Sequence, residues 1–321
     1  MKVVIPGGSG QVGTLLARAF HAEGHDVVVL SRRPTRQPWR VTAWDGATAG
    51  PWQRDVDGSD VVINLAGRSV NCRYNDAHRA EILRSRVDST RAVGEAIQRA
   101  TVAPRVWLQA STATIYAHRF DQANDEHTGV VGGAEAAPSS WRFSIEVARA
   151  WEQSFDESIT NRTRKVAMRS AMTLSPDPGG VFDTLAGLAR YGLGGRAGDG
   201  RQFVSWVHEV DFVNAVRYLI LRDDICGAVN IATPNPIPNE EFMRVLREEC
   251  KAPFGVNASR WMLEIGALMM RTETELILKS RRVVPGRLLE AGFEFRYPQW
   301  REAARELCRR WRQTDSESVA A

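Results

Sequence analysis

Lys2–Pro6 is a short apolar run that passes without a break into Gly7-Gly8-Ser9-Gly10-Gln11-Val12-Gly13. No other feature restricts the fold of this chain as strongly. Glycines at three-residue spacing let a strand turn tightly into a helix, and they let backbone N–H groups at the helix N-terminus approach a pyrophosphate. The helix follows at once, with Leu15, Leu16, Ala19 and Phe20 recurring at helical period and Gly24 closing it. Residues 26–30 (DVVVL) form a second buried-strand run. Strand, glycine turn, helix and strand within about thirty residues make a βαβ unit.

Strand-like runs recur at 40–44, 61–65, 105–110 and 165–169, and helical patterns at 76–100 and 139–157 separate most of them. This alternation predicts an α/β fold, a Rossmann-type doubly wound parallel sheet covered on both faces. The texture changes after Leu174, where Pro176-Asp-Pro-Gly-Gly180 breaks the pattern and a glycine-rich stretch runs from 192 to 200. Residues 209–221 read as a helix and 228–231 as one more buried strand. The tail is mostly helical, with a strand-like run at 293–297 (FEFRY). The expected division is a nucleotide-binding domain at 1–174 plus 209–232, and a smaller, mostly helical domain at 175–208 plus 233–321.

Composition narrows the function classes. The chain has 321 residues, 43% of them hydrophobic, so a sizeable core is available. Its net charge is only +4, and lysine stands only at Lys2, Lys165, Lys251 and Lys279. Basic residues strewn along the chain argue against nucleic acid, which needs a concentrated basic face. No apolar stretch approaches the roughly 20 residues that cross a bilayer, and the first strand leaves no room for a signal peptide. Cys72, Cys226, Cys250 and Cys308 are far apart in sequence, without metal spacing, and read as reduced thiols of a cytoplasmic protein. The apolar stretch at 261–270 suits interdomain packing or a homodimer contact.

The end of the second strand selects the cofactor. An acid there would bond the ribose hydroxyls of NAD, whereas arginine accommodates the 2′-phosphate of NADP. The chain reads Leu30-Ser31-Arg32-Arg33, with a hydroxyl, two guanidiniums and no acid. NADP(H) is favoured over NAD(H). The expected cofactor residues are Gly7, Ser9, Gly10, Gln11, Val12, Gly13, Ser31, Arg32 and Arg33. Asp45 and Leu65-Ala66-Gly67 join them, because they stand at carboxyl ends of later strands, the edge at which open α/β sheets bind ligands.

In this order the motifs resemble the extended and atypical short-chain dehydrogenases/reductases, and specifically an epimerase-like group with a small uncharacterised C-terminal domain. The resemblance rests on GGSGQVG (7–13), NLAG (64–67), Ser85-Arg86 with Thr90-Arg91, Ala150-Trp151-Glu152, Met168-Arg169, the block 192–211, GAVNIATPNP (227–236) and VVPGRLLEAGFEF (283–295). It implies a substrate cleft between the two domains. It also implies hydride transfer with a Ser/Thr hydroxyl and a Tyr-x-x-x-Lys pair, the tyrosine as acid/base and the lysine lowering its pKa.

That pair is missing. The chain has five tyrosines, and four residues after them stand His78, Phe120, Gly195, Arg222 and Arg301. The corresponding helix reads Phe143-Ser-Ile-Glu-Val147. The hydroxyl is retained: in Ser111-Thr112-Ala-Thr-Ile-Tyr116, counting back from the tyrosine favours Thr112, with Ser111 as the neighbouring choice. Tyr116 is a candidate for the acid, and Tyr74, His78, His118, Asp121, Glu126 and His127 are further substitutes. Gln202, Trp206 and His208 are expected to line the substrate side, with Asp211 capping the next helix. No metal site is expected. Two readings follow: an NADP(H)-dependent oxidoreductase or epimerase acting on an unidentified carbonyl or sugar-nucleotide-like substrate, or a non-catalytic NADP(H)-binding redox sensor or partner-binding protein.

Overall fold

The computed structural model describes residues 1–132, 141–259, 262 and 274–320, apart from the side chains of 276 and 314–320. The stretch 261–270 therefore lies outside the described residues, except for Met262.

Seven parallel strands form the main sheet: β1 (Lys2–Pro6), β2 (Asp26–Ser31), β3 (Arg40–Ala43), β4 (Val61–Asn64), β5 (Val106–Thr112), β6 (Arg164–Ser170) and β10 (Gly227–Ile231). Their order is β10-β6-β5-β4-β1-β2-β3, so the winding reverses between β1 and β4. Strict alternation along each strand builds two cores. Val3 and Ile5 face one side, with Leu16 and Phe20 of α1 (Gln11–Ala22) and Phe212 and Val216 of α6 (Glu209–Leu221). Val4, Val62 and Trp107 face the other, with Val93 and Ile97 of α3 (Asp76–Arg99) and Phe155 of α4 (Arg142–Asp156). Burial on both faces is why these strands read as continuous valine and isoleucine runs rather than as alternating patterns.

The chain leaves this sheet after Ser170 and returns through α6 and β10, whose register on β6 runs from Gly227↔Val166 to Ile231↔Ser170. Between them, β7 (Met172–Leu174) pairs with β9 (Trp206–His208), and α5 (Val181–Arg190) begins a third core. That core joins Phe182, Trp206, Phe242 and Leu246 of α7 (Asn239–Glu249), and Trp300 and Leu307 of the last helix, Trp300–Ala320. Trp300 stacks on Phe242 at 4.0 Å and meets Trp206 edge-on at 5.0 Å.

Two local expectations fail for one shared reason. Residues 293–297 are not a strand. Phe293 and Phe295 pack on the first core, while the N–H groups of Arg296 and Tyr297 donate to the Asp211 carboxylate at 2.7 and 2.9 Å. Asp211 therefore does not cap α6; His208 does, its Nδ1 accepting from the Val210 N–H. An alternating pattern finds no neighbouring edge here, and a buried carboxylate takes the place of a ladder partner. Burial pushes the Asp211 carboxyl up from its ordinary pKa. Asp211→Ala leaves two backbone donors unsatisfied and should cost about 2 kcal/mol, read as a lower urea midpoint; an unchanged midpoint would mean that the segment finds other acceptors.

Candidate dinucleotide site

The three glycines of the opening turn do three different jobs. Gly7 holds a left-handed φ of +75°, and a Cβ on it would stand 2.5 Å from the Ala66 Cα. A Cβ on Gly13 would overlap the Gly8 backbone, so α1 can seat itself only on glycine there. Gly10 differs: its nearest neighbour would be the Gly7 carbonyl at 3.9 Å, so open space lies beside it. This is the division of labour a dinucleotide turn needs, with the middle glycine leaving room for a pyrophosphate. Gly10 is also the N-cap of α1 and makes no side-chain cap, so the first-turn N–H groups of Gln11, Val12 and Gly13 have no capping side chain at their N-cap.

The rest of the expected cradle converges on this turn. The Gly7 N–H donates to the Leu30 carbonyl and the Leu65 N–H to the Pro6 carbonyl, joining the exits of β2, β1 and β4. The Ser31 hydroxyl lies 3.1 Å from the Ser9 hydroxyl and accepts from the Arg33 N–H. Arg32 and Arg33 are exposed, and their guanidiniums make no ion pair among the described residues. Asn64 fixes the next exit, accepting from the Ala66 N–H at 3.1 Å and donating to Gln109 at 2.9 Å. Beside Gly67, the Arg86 guanidinium bonds the Arg68 and Ile82 carbonyls, and burial pulls its pKa down to about 10. Asp45 is engaged locally: its carboxylate accepts from the N–H groups of Ala47 and Thr48.

One element of the site was not singled out from the sequence. The 175–180 loop lies over the glycine turn, with Asp177 paired to Arg18 at 2.7 Å. Gly180 abuts the Gln11 amide so closely that a Cβ there would collide with it. Gly180 is the uncapped N-cap of α5, so a second helix start lies beside the first. Gly179-Gly180 ahead of a helical pattern was the available signal.

At the end of β5 consecutive side chains point to opposite faces, and this separates the two candidate hydroxyls. Ser111 donates to Glu152 at 2.5 Å, and Glu152 is held by Arg169 at 2.7 and 2.8 Å. Arg169 donates to the Tyr116 hydroxyl at 2.9 Å, which donates to Asn230 at 3.0 Å. Tyr116 is 2% exposed, and burial pushes its pKa up. Ser111 and Tyr116 thus belong to a closed buried network. Thr112 is half-buried; its Oγ1 accepts from the Thr114 N–H at 3.1 Å, and its own proton has no acceptor among the described residues.

Phe143 and Val147, where the resemblance would place Tyr-x-x-x-Lys, close an apolar cluster with Ile82. The Tyr74 ring meets Phe143 edge-on at 5.2 Å, and the Arg79 guanidinium lies 4.8 Å over Phe143. Tyr74 is half-buried and within electrostatic reach of Arg86 and Arg281. The remaining candidates make these contacts: the His118 Nδ1 accepts from Ser280, Asp121 pairs with Arg119, Glu126 accepts from Asn230, His127 meets Glu290, and the His78 Nδ1 lies 2.7 Å from the Arg73 carbonyl.

Residues 275–283 close on this region. Lys279, 1% exposed, donates to the Thr114 carbonyl at 2.7 Å and lies 3.7 Å from Glu275. Glu275 accepts from Ser144 at 2.6 Å. Burial pulls Lys279 down to about 8 and pushes Glu275 up. The side chains expected on the substrate side face protein instead. The Gln202 amide donates to the Ala197 and Ile277 carbonyls, Trp206 lies against Trp300, and the fully buried His208 bonds Glu306 at 2.9 Å. Since the His208 Nδ1 accepts, its proton sits on Nε2, toward Glu306.

Residues 3–232 match the NAD dependent epimerase/dehydratase family. The chain belongs to that family. Residues 258–307 match a domain of unknown function (DUF1731), and together the two matches mark an atypical short-chain dehydrogenase/reductase. The chain is 28% identical over 311 residues to epimerase family protein SDR39U1 of Bos taurus, covering 96% of this chain and 99% of that one. It is 28% identical over 312 residues to epimerase family protein YfhF of Bacillus subtilis (strain 168), covering 96% and 98%. The crystal structure of human SDR39U1 (isoform2) with NADPH superposes with a TM-score of 0.83 at 25% identity, covering 96% of this chain and 99% of that one. Among the described residues no His/Cys/Asp/Glu group could hold a metal ion, and no helix is long and apolar enough to cross a membrane.

The glycine geometry separates folding from binding in this family member. Gly13→Ala should lower Tm, because the turn must move. Gly10→Ala should change stability by no more than about 1 kcal/mol yet weaken dinucleotide binding by about tenfold or more. Wild-type binding by Gly10→Ala would place the pyrophosphate elsewhere.

Proposed function

We propose that this protein is an NADP(H)-dependent oxidoreductase or epimerase acting on a small carbonyl or sugar-nucleotide-like substrate. The observation that carries the cofactor choice is the exit of β2. Two guanidiniums without ion-pair partners stand beside a serine that is tied to the glycine turn, and no acid is present to receive ribose hydroxyls. The crystal structure of human SDR39U1 with NADPH supports the same cofactor.

The residues present fit that group: Gly10 leaves space for its pyrophosphate, and Arg32 and Arg33 would hold its 2′-phosphate. When bound, the nicotinamide gives or takes a hydride. The chain supplies the rest. Thr112 donates its free hydroxyl proton to a carbonyl oxygen at the end of β5, polarising the bond. The proton itself is assigned to Tyr74, whose ring meets Phe143 edge-on and lies within electrostatic reach of Arg86 and Arg281. Phe143 and Val147 keep water away from that edge.

One observation favours a second reading, a non-catalytic NADP(H)-binding sensor. Ser111 and Tyr116 are locked in a buried network, and the two positions of α4 where the resemblance would place the acid/base pair are the apolar Phe143 and Val147. A sensor must bind the oxidised and reduced cofactors unequally.

Fluorescence titration with NADPH, NADP, NADH and NAD tests the cofactor. The phosphorylated pair should bind more tightly. The double variant Arg32→Ala/Arg33→Ala should lose about 10- to 100-fold for NADPH and little for NADH; a preference for NADH would overturn the assignment. NADPH oxidation is then followed with aldehydes, ketones and UDP-glucose. On any active carbonyl, Thr112→Ala and Tyr74→Phe should each lower kcat by about 100-fold or more. Full activity in Tyr74→Phe would move the proton to another group. Unequal affinity without turnover would select the sensor.

A further inference from the structure

Cys250 and Cys308 stand 58 residues apart in sequence, yet their sulfurs lie 2.7 Å from each other. We propose that they form a peroxide-responsive dithiol that closes to an intramolecular disulfide, stapling α7 to the C-terminal helix.

The geometry is held from both sides. Cys250 ends α7, where its N–H donates to the Leu246 carbonyl and the Ala252 N–H reaches back to the Arg247 carbonyl. Lys251, directly after it, takes a left-handed φ of 60°, the only positive φ outside glycine among the described residues. This wraps the helix end in a fixed turn. Cys308 lies fully buried on the inner face of the C-terminal helix, in the core that holds Leu246, Trp300 and Leu307. A disulfide bond is about 2.05 Å long, so closure needs a movement well under 1 Å.

The two thiols are unequal. Cys250 is half-buried and so reachable by a small oxidant, whereas Cys308 has no exposed surface. The Cys308 S–H and then the Arg312 guanidinium lower the Cys250 pKa, while donation to Cys250 and burial raise that of Cys308. Glu249, the neighbouring acid, is occupied by Arg301 and Arg305. Cys250 is thus the attacking sulfur and Cys308 the resolving one. The Cys250 thiolate attacks a peroxide oxygen, the O–O bond breaks, and sulfenic acid and water form. The Cys308 sulfur then displaces the sulfenic oxygen as a second water. The net change is two thiols and one hydrogen peroxide to one disulfide and two waters.

The bond would join the two helices that hold the 194–208 block. Asn239 and Arg247 of α7 bind the backbone of Ala197, Gln202 and Gly194. The C-terminal helix holds His208 through Glu306 and Trp206 through Trp300.

The test uses the full-length, pre-reduced protein, treated with a few equivalents of hydrogen peroxide. It is then alkylated with a maleimide under denaturing, non-reducing conditions and mapped by peptide mass spectrometry. The expected product is one cross-linked peptide pair joining Cys250 to Cys308, with Cys72 and Cys226 alkylated and the link reversed by dithiothreitol. Tm of the oxidised protein should rise by roughly 5–10 °C. Cys308→Ala should instead leave Cys250 as a sulfenic acid that a 1,3-dione probe captures. Recovery of all four cysteines as alkylated thiols in the wild type would overturn the proposal. So would oxidation of exposed Cys226 ahead of the pair, or a link that forms only in denaturant; none of these readings depends on the variant folding.

Discussion

The close approach of the Gly7 turn to the exit of β4 governs the organisation of the site. With no side chain at Gly7, the backbones of Ala66 and Leu65 come within touching distance of the turn, and the Leu65 N–H bonds the Pro6 carbonyl. That contact sets the spacing of β1 and β4 at the point where the sheet reverses its winding, and so opens the crevice in which such sheets bind ligands. Gly13 then lets α1 sit down on Gly8, which brings the helix N-terminus to the same crevice. The Ser31–Ser9 contact brings the Arg32-Arg33 pair to its far end. A larger residue at either crowded glycine would move the crevice before it touched any ligand.

The helix that the resemblance would equip with Tyr-x-x-x-Lys carries Phe143 and Val147 at those positions. Phe143 and Val147 remove the acid/base pair and close an apolar surface, and a polar network has formed on the other face of the same strand end. Glu152 and Arg169 are a buried ion pair with both partners further hydrogen-bonded, the arrangement in which such a pair is tolerated. Its effect is to commit Ser111 and Tyr116 to architecture. Thr112 remains outside that network, the Tyr74 ring lies against Phe143, and Lys279 bonds the Thr114 carbonyl just past the strand end.

Much of the fold was legible in the sequence. The seven sheet strands fall within a residue or two of the expected runs, most plainly β1, β2 and β4, where burial on both faces leaves nearly unbroken valine and isoleucine. Residues 293–297 misled because alternation records which side chains are buried, not where the backbone donors go; Asp211 received them. Gln202, Trp206 and His208 are polar or aromatic residues in a glycine-rich block. Composition cannot distinguish a cleft wall from the packing behind it.

By itself the sequence determined the βαβ frame, the ligand-binding edge and the loss of Tyr-x-x-x-Lys. Those are matters of periodicity, glycine spacing and residue identity, all of which are local. Tertiary structure alone decided that Ser111 and Tyr116 are committed while Thr112 retains its proton, and that the 175–180 loop covers the glycine turn. It also decided that Cys250 meets Cys308. Hydrogen-bond commitment and long-range juxtaposition depend on how separate helices pack against one sheet, and no window along the chain contains both partners.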